Sequence, residues 1–212
     1  KRASSSTHSF GHLFESNEKF DCIVLYHPKE KALFDYLTQH LAHFLSEDGI
    51  LLIVGDNKGG IKTAAKRIKS HNFLSQKVDS ARHCTLLAAH LDSEPSVFNF
   101  DDWLQSFSIK VNNTDMDIIS LPGVFSHGEL DLGTELLLST FRKPQKGRIL
   151  DFGCGAGVIG CYLAMRAQSA RVEMIDVNAF AIEATRRTLA ANKVQAEVYP
   201  SDGLQSVKGL FD

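Results

Sequence analysis

Gly147-Arg148-Ile149-Leu150-Asp151-Phe152-Gly153-Cys154-Gly155-Ala156-Gly157 is the stretch that decides the fold. A short apolar strand runs into a turn with glycine at three alternate positions. The residues after it, Val158 to Ala167, read as a helix. Glycines without a Cβ let a backbone approach a ligand. The helix start aims amide donors and a positive dipole end at that ligand. Such a seam belongs to a doubly wound α/β domain, where the nucleotide-like half of a cofactor binds.

Outward from the seam the pattern repeats. Strand Arg171–Val177, helix Ala179–Asn192 and strand Glu197–Tyr199 complete a βαβαβ series. Before it, Phe107–Val111 and Ile118–Leu121 alternate as a hairpin around Asn112-Asn113, and Leu130–Phe141 reads as a helix. The first half has its own series. It comprises strand Phe20–Tyr26, helix Lys29–Leu45 with Leu33, Leu37, Leu41 and Phe44 on one face, and a turn at Glu47-Asp48-Gly49. Strand Ile50–Val54 and helix Ile61–Ser70 follow, with further strand at Val78 and Cys84–Ala89. Alternating strand and helix predicts a parallel sheet. Asp92-Ser93-Glu94-Pro95 is the break, which sets the expected domains at 1–94 and 95–212. Phe20-Asp21 and Phe211-Asp212 echo each other as strand openings, so the chain reads as the rear half of one α/β domain followed by the front half of another.

Composition fits this reading. The 212 residues are 43% hydrophobic and 23% charged, with a formal net charge of -2. That balance excludes a strongly basic chain but leaves room for a local RNA-binding patch. The longest apolar runs, such as Ile50–Val54, are too short to span a bilayer. Four scattered cysteines form no CxxC, which points to reduced thiols in a cytoplasmic protein. His8 and His12 lack the framing ligands a metal needs, so no metal site is expected.

The glycine turn admits two cofactors. Gly155, Gly157 and Gly160 fit the dinucleotide fingerprint, and Asp176 stands where an acid would hold the ribose. A ribose diol is equally a feature of S-adenosylmethionine. Asp151 favours the latter, because a carboxylate before the glycines repels a pyrophosphate and suits a cationic amino acid moiety. Asp202, after the next strand, can accept from an adenine amino group. Basic residues Lys62, Lys66, Arg67 and Lys69 make a stripe on one helix, and Lys62, Lys66 and Arg67 are the candidate contacts to RNA phosphates. Phe125 could cover the cofactor or sit in the core. An NAD-dependent oxidoreductase and a non-catalytic RNA-binding scaffold remain alternatives.

Several segments carry a more specific resemblance. Asp151 to Gly157 with Asp176 resembles the first two motifs of class I S-adenosylmethionine-dependent methyltransferases. Leu121-Pro122-Gly123-Val124-Phe125-Ser126, then Leu130-Asp131-Leu132-Gly133-Thr134 and Leu136-Leu137-Leu138, resemble the lead-in of small-subunit (16S) ribosomal RNA guanine-N2 methyltransferases of the RsmC type. Leu25–Lys29, Val54–Gly60 and Lys77–Arg82 resemble that family's first domain. The resemblance implies two tandem Rossmann-type, class I methyltransferase-like units, the first degenerate and the second incomplete. It implies S-adenosylmethionine at Asp151, Gly153, Gly155, Gly157, Asp176, Val177 and Asp202. It also implies transfer to a guanine N2 in small-subunit ribosomal RNA or the assembled subunit; the sequence does not give the oligomeric state, and a cytoplasmic monomer is the expectation. The family's Asn-Pro-Pro-Phe motif is expected just past Phe211-Asp212, so no catalytic residue is identified and residues 1–212 are expected not to transfer a methyl group. Tyr26-His27-Pro28 reads as a relic of that motif in the first unit.

Overall fold

The computed structural model describes residues 8–125, 128–166 and 169–212. The chain divides into two compact units. One is Glu15–Trp103; the other is Leu104–Asp212 together with the first fourteen residues.

The unit Glu15–Trp103 holds strand β1 (Phe20–Tyr26), helix α1 (Lys31–Ala42), strand β2 (Leu45–Asp56), helix α2 (Ile61–Arg67), strand β3 (Phe73–Ala81) and strand β4 (Cys84–Leu91). Helix α2 runs on into a 3-10 turn, Ile68–His71. The sheet order is β1-β2-β4-β3. Only β1 and β2 are parallel; β4 runs antiparallel to both β2 and β3. The expected all-parallel sheet is therefore corrected to a mixed one. The cause is local. Arg82 and His83 both adopt positive φ, 48° and 65°, between the facing residues Ala81 and Cys84. A two-residue turn of that hand folds a chain straight back on itself. The turn expected at Glu47-Asp48-Gly49 lies inside the irregular start of β2, where the pairing jumps from Phe20–Leu45 to Cys22–Ile50.

Packing explains where this unit ends. Phe34 of α1 is fully buried against Leu51, Ile53, Ile61 and Phe73, with Leu37 and Leu41 packed beside it. The other side of α1 is covered as well. Tyr36 meets Phe98 and Trp103 edge-on, at ring centroid distances of 5.2 and 5.5 Å, and His40 lies 4.4 Å from Phe98. The aromatic segment after Pro95 thus packs on α1, and the structural division falls at Trp103 instead of residue 94.

The second unit opens with a hairpin of β5 (Gln105–Val111) and β6 (Thr114–Ser120), turned at Asn112 and Asn113 with φ of 47° and 64°. Then come α3 (Leu132–Thr140), β7 (Lys146–Phe152), α4 (Val158–Arg166), β8 (Ser169–Asp176), α5 (Ala179–Ala191) and β9 (Glu197–Pro200). The three strands are parallel in the order β7-β8-β9. Met174 and Val172 of β8 are buried with Cys161 and Tyr162 of α4 and Ala181, Ala184 and Leu189 of α5. Helix α5 also grips the hairpin: the Thr188 hydroxyl accepts from the Ile119 amide at 3.0 Å. Phe180 of α5 receives the edge of the His12 ring, 6.4 Å between centroids, which explains why the first residues join this unit. Asp212 lies beside β7, its amide donating to the Arg148 carbonyl at 3.0 Å and its carboxylate accepting from the Arg148 amide at 2.8 Å. Among the described residues no helix is long and apolar enough to cross a membrane.

Candidate cofactor site

Parallel strands deliver their C-terminal ends to one edge. Here that edge collects the loop after β7, the Asp176-Val177-Asn178 turn after β8 and Ser201-Asp202 after β9. The glycine loop is fastened to its neighbour by backbone bonds: the Gly153 and Cys154 amides both donate to the Ile175 carbonyl at 2.9 Å. Asp176 holds the next residue, with Oδ2 accepting from the Gly155 amide at 3.0 Å and Oδ1 from the Asn178 amide at 2.8 Å. Val177 is exposed, as is Asp202.

The four glycines serve two purposes. Gly153 and Gly155 take φ of 75° and 57°, and a Cβ on either would meet nothing within 4 Å. They face open space, as a backbone made to meet a ligand must. Gly157 and Gly160 face inward. A Cβ at Gly157 would come within 3.0 Å of Thr185, and one at Gly160 within 2.7 Å of the Met174 sulfur. Gly160 lets α4 lie close on β8, and Gly157 leaves room for Thr185 of α5.

Asp151 sits behind the loop. It is 7% exposed, and its Oδ2 accepts from the Gly160 amide at 2.8 Å. Burial pushes its carboxyl up to about 6; the Gly160 bond pulls the other way, and the nearby Asp176 charge adds to the rise. The cleft in front of the loop encloses about 170 Å³ and is lined by Gly153, Cys154, Gly155, Val158 and Ile159 on the loop side. Across from these in sequence, Phe107, Phe125, Glu129, Asp131 and Thr134 also line it, while Asp151 does not. Phe125 is 78% exposed, so it is a cleft residue and not a core one. The Cys154 thiol, buried behind the cleft and 3.3 Å from the Thr185 hydroxyl, is pushed up to about 12 by that burial and stays protonated.

Two family models match the chain, one in each half. The methyltransferase small domain family matches residues 115–212, and its N-terminal companion, the methyltransferase small domain N-terminal family, matches residues 1–107. The chain belongs to the methyltransferase small-domain family. A ribosomal RNA small subunit methyltransferase C from Shewanella denitrificans is 47% identical over 206 residues, covering 96% of this chain and 59% of that protein. The protein of the same name from Psychromonas ingrahamii is 38% identical over 212 residues, covering 100% and 60%. This small-domain chain thus spans about three-fifths of the length of these curated relatives. Its fold is that of the T. thermophilus 16S rRNA N2 G1207 methyltransferase (RsmC) in complex with AdoMet and guanosine. The TM-score is 0.84 at 22% identity, covering 93% of this chain and 55% of that one. The dinucleotide oxidoreductase alternative finds no support in the family match.

The sequence brought Asp151, Gly153, Gly155, Gly157, Asp176, Val177 and Asp202 to notice, and the small-domain fold gathers all of them at one sheet edge. It missed Glu129, Asp131 and Thr134 as cleft residues, although they lie in the lead-in segment; their signal was the N-cap pattern before α3. The basic stripe on α2 is divided. Lys62, Lys66 and Lys69 are exposed, but Arg67 turns to Asp35 of α1, its Nε donating to Oδ1 at 3.0 Å. In the other unit, the Tyr26-His27-Pro28 relic places His27 over Phe34 with ring centroids 4.6 Å apart. Neither ring nitrogen has a hydrogen-bond partner among the described residues, and burial lowers the His27 pKa. Ser126 and His127 lie outside the described residues.

Proposed function

We propose that the unit Leu104–Asp212 is the cofactor-binding part of an S-adenosylmethionine-dependent methyltransferase. Its substrate is the N2 amino group of a guanine in small-subunit (16S) ribosomal RNA. The observation that carries this is the pair of open-faced glycines, Gly153 and Gly155, set between Asp176 and the cleft at the ends of parallel strands. When bound, the cofactor supplies an electrophilic methyl on sulfur. The residues here bind and orient. Gly153, Gly155 and Gly157 shape the loop against the methionine end. Asp176 has carboxylate lone pairs beyond its two backbone bonds and accepts from the ribose diol. Val177 packs at the adenosine side, and Asp202 accepts from the adenine amino group. Asp151 holds α4 to the loop through Gly160. This is positioning catalysis, in which fixed geometry replaces a bimolecular encounter.

The relatives' names support ribosomal RNA, free or within the small subunit, as the partner. Exposed Lys62 and Lys66 suit phosphate contacts, with Arg67 lending structure through Asp35. A monomer in the cytoplasm fits four free cysteines. Calorimetry tests the reading directly. S-adenosylhomocysteine should bind the chain, Asp176→Asn should weaken it, and NADH should give no heat. NADH binding in place of S-adenosylhomocysteine would overturn the proposal.

A further inference from the structure

Glycine opens the loop after β7 and also leaves it loose. Without a Cβ, Gly155 takes its φ of 57° at no steric cost, and the same freedom lets the peptides on either side of it turn. Two side chains from other elements hold those peptides. The Gly155 amide donates to Asp176 Oδ2, at the end of β8, over 3.0 Å. The Gly155 carbonyl accepts from the Thr185 hydroxyl, in the middle of α5, over 2.9 Å. Thr185 is fully buried, and it is not one of the residues that line the cleft.

A threonine inside a helix ordinarily turns its hydroxyl to the carbonyl one turn back. Thr185 sends its hydroxyl proton across to the loop instead. That single proton serves one acceptor, so in the 3.3 Å contact between Thr185 Oγ1 and Cys154 Sγ the thiol is the donor. Burial pushes the Cys154 thiol up to about 12, so it has the proton to give. The Cys154 thiol thus donates to the Thr185 hydroxyl, which donates to the Gly155 carbonyl. Gly157 makes the room: a Cβ there would come within 3.0 Å of both Oγ1 and Cγ2 of Thr185. Thr188, one turn further along α5 and equally buried, bonds to Ile119 of the hairpin and not to the loop.

We infer that Thr185 is a positioning residue for the cofactor: its hydroxyl fixes the peptide between Gly155 and Ala156, so that the loop meets S-adenosylmethionine already shaped. The inference rests on the methyltransferase reading above and adds to it a side chain that acts through the loop without touching the ligand. Without the hydroxyl, a free glycine peptide has to be ordered on binding, and that cost falls on affinity.

The test is calorimetry with S-adenosylhomocysteine on the full chain, beside thermal unfolding of the ligand-free proteins. Thr185→Val keeps the shape and removes the hydroxyl. It should weaken binding about fivefold or more, the worth of one hydrogen bond. Thr185→Ser keeps the hydroxyl and removes the methyl. It should bind within about twofold of the unaltered chain, although the lost packing lowers its melting temperature. Thr188→Val makes the same chemical change on the same face of α5, and should melt earlier yet bind normally. If Thr185→Val does not fold, Thr185→Ala against Thr185→Ser asks the same question, because that pair differs in the hydroxyl alone. Unchanged affinity without the hydroxyl overturns the assignment and leaves the methyltransferase reading standing. An equal loss of affinity in Thr185→Ser or in Thr188→Val does the same. Failure of the unaltered chain to bind S-adenosylhomocysteine overturns both.

Discussion

A single carboxyl behind the glycine loop gives the molecule a pH signature. Asp151 has a folded-state pKa of about 6 against an ordinary 3.8. The folded chain therefore binds more protons than the unfolded chain between about pH 4 and pH 6, and stability from this group falls as pH rises through that window. The span corresponds to about 3 kcal/mol at most. Asp151→Asn keeps an acceptor for the Gly160 amide and should remove this slope. Urea unfolding of both proteins at pH 4.5 and 7 reads the difference. His12 and His27, whose pKa values are lowered by burial, act in the opposite sense below pH 6.5 in both proteins and cancel in the comparison. The glycines part in the same way between fold and ligand. Gly160→Ala presses a methyl on Met174 and should cost about 1–3 kcal/mol in thermal unfolding. Gly155→Ala meets no atom and carries only a left-handed backbone penalty of about 1–2 kcal/mol, but should abolish S-adenosylhomocysteine binding. The sequence shows that these positions are glycine. It does not show which side of each glycine is open, because Met174 and Thr185 arrive from other elements.

At the scale of elements, a strand was easy to recognise and its direction was not. The strands and helices of the second unit lie close to where their patterns put them, and two of its helices carry an N-cap side chain, Asp131 on α3 and Asn178 on α5. The hairpin at Asn112-Asn113 was legible because asparagine tolerates positive φ. The one at Arg82-His83 was not, because neither residue advertises such a turn. It also reverses β4, which is what makes the sheet of that unit mixed. The turn is a site for improvement. Arg82→Asn with His83→Gly should relieve about 1 kcal/mol or more of backbone strain and raise the melting temperature by a few degrees. A fall in melting temperature would show that the two side chains contribute more than the turn costs. Helix α2 gives a second test. Lys62→Glu with Lys66→Glu should lower affinity for small-subunit ribosomal RNA at low salt. It should also flatten the salt dependence by about 0.7–0.9 in log–log slope for each phosphate no longer neutralised. Arg67 is best left alone, because reversing it would strand Asp35 beside α2.

On the scale of the whole molecule, the two units are not consecutive along the chain. The aromatic segment of Phe98, Phe100 and Trp103 belongs to the first by packing on α1, which composition alone hides behind the Asp92–Pro95 break. The opening residues belong to the second, where His12 meets Phe180. Removing residues 1–14 should accordingly leave the Glu15–Trp103 unit intact and speed hydrogen exchange in α5. Faster exchange confined to β1 through β4 would refute this. The contact between His12 and Phe180 has a consequence in time. A ribosome makes His12 well before Phe180, on the order of ten seconds earlier at ordinary rates of synthesis. Throughout that interval His12 waits for its partner ring, so this contact closes only after α5 has been made.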